Sequence, residues 1–243
     1  MDDLESYYAD YWSESGFLPR APIPAETAEL IAAALEGVTV CVDFGCGDGH
    51  AYGRWVADQV DTYIGFDVSE VAVAEAQGLG LDARLLDGSR IPLEDGSVDL
   101  VFSIEVLEHL FSPRAALEEA RRVLRPGGRL LVTVPNVAYW RRRLDLAVFG
   151  RWNPLGDDRS VEEPWRDPHI RFFNIGSLTR LLTLTGFEQI SVGGHFGAFL
   201  RELPVIRRFG ADSGGRSYKR LERIAPALAG SRLHAFARKP ERG

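Results

Sequence analysis

The chain is poor in sulfur and nearly devoid of lysine. Its 243 residues include two cysteines, Cys41 and Cys46, and one methionine, and only Lys219 and Lys239 among the 28 basic side chains are lysine. Two cysteines so close together cannot make a disulfide framework. No His/Cys cluster at ligand spacing accompanies them, so both read as reduced structural thiols and no metal site is expected. No stretch approaches the roughly 18 uninterrupted apolar residues of a membrane-spanning helix. The start, Met1-Asp2-Asp3-Leu4-Glu5, is acidic and lacks the basic and apolar regions of a signal peptide, so a cytoplasmic location is expected. There is no G-x-x-x-x-G-K-[ST], which excludes a P-loop. Internal repeats and low-complexity tracts are absent as well.

Apolar residues make up 45% of the chain, ample for a core, and the length suits one domain, residues 1–243. The net charge of −7 is unevenly spread. Residues 1–138 carry 9 basic and 24 acidic side chains, whereas residues 139–243 carry 19 and 11. GC-rich coding accounts for the arginine bias as readily as selection does. The basic C-terminal part leaves open an anionic acceptor.

The most informative segment is Val40-Cys41-Val42-Asp43-Phe44-Gly45-Cys46-Gly47-Asp48-Gly49. A short apolar run ends in an acid, and three glycines then alternate at every second position. This reads as a buried strand feeding a loop where backbone must lie close to a ligand. A second apolar run, Tyr63-Ile64-Gly65-Phe66, closes on Asp67 about 20 residues on. Strands are also expected at Ala83–Leu86, Val98–Ser103, Arg129–Val134, Phe187–Val192 and Leu233–Ala237. Ser112-Pro113 is an N-cap and N1 pair opening a helix that ends near Leu124. Ile23-Pro24 starts a helix ending at Gly37, and Asn174 caps one running through Leu184, with Gly186 as terminator. Strand–helix alternation from Val40 to Val134 implies a parallel sheet with helices on both faces.

A dinucleotide fingerprint requires G-x-G-x-x-G. Here the third glycine comes one residue early and His50 stands where a small residue belongs. The acid-x-G-x-G-x-G pattern instead resembles motif I of the class I S-adenosylmethionine (SAM)-dependent methyltransferases, and the resemblance continues in order over residues 38–136. It implies a Rossmann-like α/β fold: a seven-stranded, mostly parallel sheet with its last strand antiparallel beside strand five. It further implies SAM as cofactor, held by Asp43, Gly45, Cys46, Gly47 and Gly49 in the loop, and by Asp67 with Val68 at the ribose. Asp87 and Gly88 would face the adenine, and Ser103 ends strand four. Leu4, Tyr7, Tyr8, Tyr11 and Trp12 lie at helical spacing, so residues 1–36 read as a helical lid, with Tyr11 towards the cofactor.

Helical insertions at 137–170, after strand five, and at 194–231, before the last strand, fall where this fold builds acceptor pockets. The first also resembles, more loosely, MetW-type proteins. Methyl transfer from a sulfonium is a direct displacement, and a general base helps when the acceptor must lose a proton. His109 and His169 are the candidates, with Glu105 and Glu108 behind them; His195 and the run Arg141–Arg143 are weaker, since a basic run is usually a solvated helix face. The segment Ser103-Ile104-Glu105-Val106 lacks the [D/N]-P-P-[Y/F] of base amino-methyltransferases, and Glu105 and Glu108 stand too close for the glutamates of protein-arginine enzymes. The resemblance therefore implies O- or N-methylation of a small molecule: a sugar, natural-product or lipid-linked intermediate. The alternative is a SAM-fold accessory protein supporting an acyltransferase of methionine synthesis. No nucleic acid is expected as partner, and a homodimer is left open.

Overall fold

The computed structural model describes residues 23–86, 90–152, 169–195 and 224–241. Tyr11, Asp87, Gly88, the rest of the expected lid before residue 23, residues 153–168 of the first insertion and residues 196–223 of the second lie outside the described residues. Within them the elements run α1 (Ala25–Leu35), β1 (Val40–Phe44), α2 (Gly53–Ala57), β2 (Thr62–Asp67), α3 (Glu70–Gly78), β3 (Ala83–Leu85) and β4 (Val98–Ile104). A 3₁₀ turn (Leu107–His109) follows, then α4 (Pro113–Val123), β5 (Leu124–Pro135), α5 (Trp140–Phe149), α6 (Ile175–Leu184), β6 (Glu188–His195), α7 (Pro226–Ala229) and β7 (Arg232–Arg238).

The seven strands form one sheet in the order β3-β2-β1-β4-β5-β7-β6. Pairings among β1 to β5 are parallel, and β7 inserts antiparallel between β5 and β6. Strand alternation sets the two faces. Val42, Phe44, Ile64 and Phe66 pack with Leu117, Ala120 and Val123 of α4 and Leu178 and Leu182 of α6. Cys41, Tyr63, Leu100 and Phe102 pack on the other face with Ile31, Ala34 and Leu35 of α1. Burial on both faces explains why these strands read as continuous apolar runs.

Local chemistry sets the helix ends. The Ser112 hydroxyl accepts from the Ala115 N–H and Pro113 occupies the first helical position of α4. Asn174 and Ser177 form a reciprocal capping box on α6, and Gly186 follows with φ +79°. Strand order reverses between β1 and β4, so the connections leaving their carboxyl ends diverge and open a crevice there.

The basic run Arg141–Arg143 departs from the expected solvated face. Arg141 and Arg143 are exposed, but Arg142 points inward and is buried. Burial and the neighbouring Arg232 pull its pKa down to about 10, against opposing contributions from Tyr139, Glu105 and Asp145.

Candidate active site

The loop after β1 is fastened to β2 through its backbone. The N–H groups of Gly45 and Cys46 both donate to the Phe66 carbonyl, at 2.8 and 3.0 Å, and Gly47 N–H donates to Asp67 Oδ2 at 2.8 Å. All three glycines adopt positive φ, +86°, +53° and +73° for Gly45, Gly47 and Gly49. A Cβ on Gly45 would also collide with the Val106 side chain, and one on Gly49 would press on the terminal methyl of Leu81. The first contact brings the loop against the segment leaving β4, across the switch point.

Two acids line this edge. Asp43 is buried and accepts a 2.8 Å hydrogen bond from Tyr63 Oη. Burial lifts its pKa to about 7, the tyrosine hydrogen bond opposes that, and the charge of Asp67 adds to it. Asp67 closes β2 with both oxygens receiving backbone N–H groups, Gly47 on Oδ2 and Ser69 on Oδ1. Burial raises its pKa against the lowering effect of those donors. A carboxylate has about four acceptor positions, and with Gly47, Ser69 and Val68 all acting on Asp67 at least one is left for a ligand. Burial likewise raises the Cys46 thiol, keeping it protonated and inert. Val68, immediately after Asp67, is 41% exposed.

Ser103 faces elsewhere. Its buried hydroxyl belongs to a small apolar cavity beneath α4, lined also by Phe44, Val101, Leu107 and Leu117. Alternation along β4 could have signalled this, because Ser103 shares the parity of Val101 on the α4 face. Asp48, not singled out by sequence reasoning, is buried in the glycine loop; Oδ1 accepts from His50 N–H, and Oδ2 has no hydrogen-bond partner among the described residues.

The segment leaving β4 carries the reactive side chains. Glu105 takes a left-handed backbone, φ +57°, a conformation costly for a non-glycine residue and concentrated at functional sites. Thr133 and Arg232 hold it there. The Thr133 hydroxyl donates to Glu105 Oε1 at 3.0 Å, and the Arg232 Nε group pairs with Oε2 at 2.6 Å. Burial raises the Glu105 pKa, Arg232 lowers it, and Glu108 adds to the rise.

In the 3₁₀ turn, the side chain of Glu108 is 1% exposed, His109 is partly exposed and His169 is buried. The two imidazoles stack with ring centroids 4.7 Å apart and planes inclined by 28°. Their Nε2 atoms lie 4.0 Å (His109) and 3.7 Å (His169) from Glu108 Oε1. His169 arrives from 60 residues downstream because the Glu108 carbonyl accepts the N–H groups of Ile170 and Arg171, at 3.0 and 2.9 Å. Asn136, at the end of β5, is fully buried and satisfied by Ala227 and Gly230 carbonyls and the Ala138 N–H. The structure thus gathers Glu105, His109 and His169, while His195 pairs with His234 at 3.2 Å between β6 and β7.

A doubly wound α/β sheet with a glycine loop and an acid-terminated strand at its switch point defines a nucleoside-cofactor fold. Residues 42–132 match the family model described as a methyltransferase domain. The chain is 36% identical over 165 residues to a probable S-adenosylmethionine-dependent methyltransferase of Mycolicibacterium smegmatis, covering 67% of this chain and 57% of that protein. It is 27% identical over 164 residues to a ubiquinone biosynthesis O-methyltransferase of Idiomarina loihiensis, covering 63% of each. A SAM-dependent methyltransferase structure from Archaeoglobus fulgidus superposes with a TM-score of 0.62 at 16% identity, over 88% of this chain and 92% of that one. Residues 42–132 thus carry a methyltransferase domain, and the sequence relatives named above are SAM-dependent or O-methyltransferases. It spans a little over half the length of the M. smegmatis relative. Among the described residues, no helix is long and apolar enough to cross a membrane.

Proposed function

We propose that this chain transfers the methyl group of SAM to an oxygen of a small-molecule acceptor. The loop Gly45–Gly49 with Asp43 and Asp67 holds the donor. The observation that carries the choice of oxygen is the meeting of Glu108, His109 and His169 beside the glycine loop. A hydroxyl must shed its proton as the O–CH₃ bond forms, whereas a neutral amine is already nucleophilic. An imidazole–carboxylate cluster at the methyl-transfer edge suits the first task and is superfluous for the second. The O-methyltransferase relative agrees with this reading, and the accessory-protein alternative draws no support from the relatives described above.

Calorimetry and turnover separate the two halves. The Asp67→Ala variant is expected to lose SAM binding, and unchanged affinity would remove the donor assignment. The His109→Gln variant is expected to bind SAM normally and to lose at least ~100-fold in S-adenosylhomocysteine release with hydroxyl acceptors, within the range for a positioned proton-transfer group. Retained turnover would demote His109 to a structural role.

A further inference from the structure

Proton management alone leaves the buried end of the cluster unexplained. Glu108 is 1% exposed, yet among the described residues neither carboxylate oxygen has a hydrogen-bond partner. A buried carboxylate in that state is expensive unless something neutralises it. The histidines are too far to do so by hydrogen bonding: 3.7 and 4.0 Å exceed the 2.7–3.2 Å range of N–H···O bonds. The carboxylate oxygen and the two imidazole nitrogens all lie within 4.8 Å of one another. A divalent ion bonded to each at ~2.0–2.2 Å holds its ligand atoms about 3–4 Å apart. Both Glu108 separations already fall in that range, and the two imidazole nitrogens lie within 4.8 Å of each other.

We propose that Glu108, His109 and His169 bind one divalent transition-metal ion, of the zinc or manganese kind, whose open positions take the acceptor's oxygen. Two imidazoles and one carboxylate suit such ions, whereas magnesium and calcium prefer all-oxygen sites. Three protein ligands leave coordination positions free. An acceptor bearing two neighbouring oxygens fits best, because it can chelate and present one oxygen in a fixed direction. The balance of the step is simple. The metal-held hydroxyl releases its proton to solvent, the new O–C bond forms, and the C–S bond breaks with its electron pair left on sulfur, giving S-adenosylhomocysteine. The ion lowers the cost of the oxyanion as a Lewis acid. This inference rests on the acceptor reading of the β4 edge given above.

The test uses the full chain, stripped with a chelator and titrated with zinc and separately with manganese, metal content and heat both being read. One ion per chain is expected, with affinity at least ~100-fold weaker in Glu108→Gln and in His109→Gln while SAM affinity is unchanged. Retained SAM affinity certifies that each variant is folded; should Glu108→Gln fail that check, the partly exposed His109 decides. Zinc and manganese binding that is absent, or equal in wild type and folded variants, overturns the proposal. Specific metal binding with no methylation of any hydroxyl acceptor leaves the metal site standing and removes the proposed reaction instead.

Discussion

Asp43 shows how one buried side chain ties stability to pH. Its carboxyl titrates near 7 because burial disfavours the charged form. A carboxyl whose pKa is raised on folding gives its full stability below its unfolded pKa, and that contribution is lost as pH rises through 7. The SAM-free Asp43→Asn variant should therefore melt higher than wild type at pH 8, by roughly 3 °C or more, and by a clearly smaller margin at pH 5. The amide oxygen can still accept from Tyr63. Equal shifts at both pH values would show that ionisation of Asp43 is not what burial penalises. Arg142 teaches a different lesson. Three consecutive arginines look solvated in a sequence, yet a helix turning 100° per residue directs one of any three neighbours inward, and nothing in the run says which. The donor-side acids were readable because each closes an apolar run; Arg142 was not, because its burial depends on what packs against α5.

Elements show where glycine is obligatory and why. Gly37 and Gly45 both have positive φ, +68° and +86°, but a Cβ on Gly37 meets nothing within 4 Å while one on Gly45 strikes Val106. Gly37→Ala should cost about 1 kcal/mol of strain, visible as a lower Tm with SAM affinity intact. Gly45→Ala adds a collision between two crevice segments and should weaken SAM binding at least ~10-fold by calorimetry. Equal behaviour of the two variants would mean that strain alone matters. Capping offers a simpler check: Asn174→Ala removes the α6 capping box and should cost about 1 kcal/mol, a fall of roughly 2–4 °C. These caps were legible because their signals span four residues. The members of the Glu108–His109–His169 cluster were named as candidates, but their meeting was not legible, because the third comes from 60 residues away and no spacing rule connects residues joined only by the fold.

For the molecule as a whole, ligand linkage is the plainest expectation. A ligand that binds only the folded chain at about 100 times its Kd adds ~2.7 kcal/mol, so saturating S-adenosylhomocysteine should raise Tm by roughly 5–10 °C. The same addition should leave Asp67→Ala unmoved. The sheet order was legible through the family resemblance, including the antiparallel β7 beside β5, because the strand–helix alternation it rests on is strong. The acceptor side was less so: its residues belong to no periodic element, and their meaning comes from what they meet.

The carbonyl of Glu108 receives two backbone donors from Ile170 and Arg171, while the side chain of the same residue faces both imidazoles. One residue is thus the splice between the donor-binding body and the segment that brings in His169. The two bonds to this carbonyl need only backbone N–H groups, which a proline could not give, while the Arg171 guanidinium adds a third tie by donating to the Phe111 carbonyl at 2.7 Å. Exchange of the downstream insertion between relatives can therefore alter the acceptor freely, provided the incoming segment still ends in two donors that reach this carbonyl.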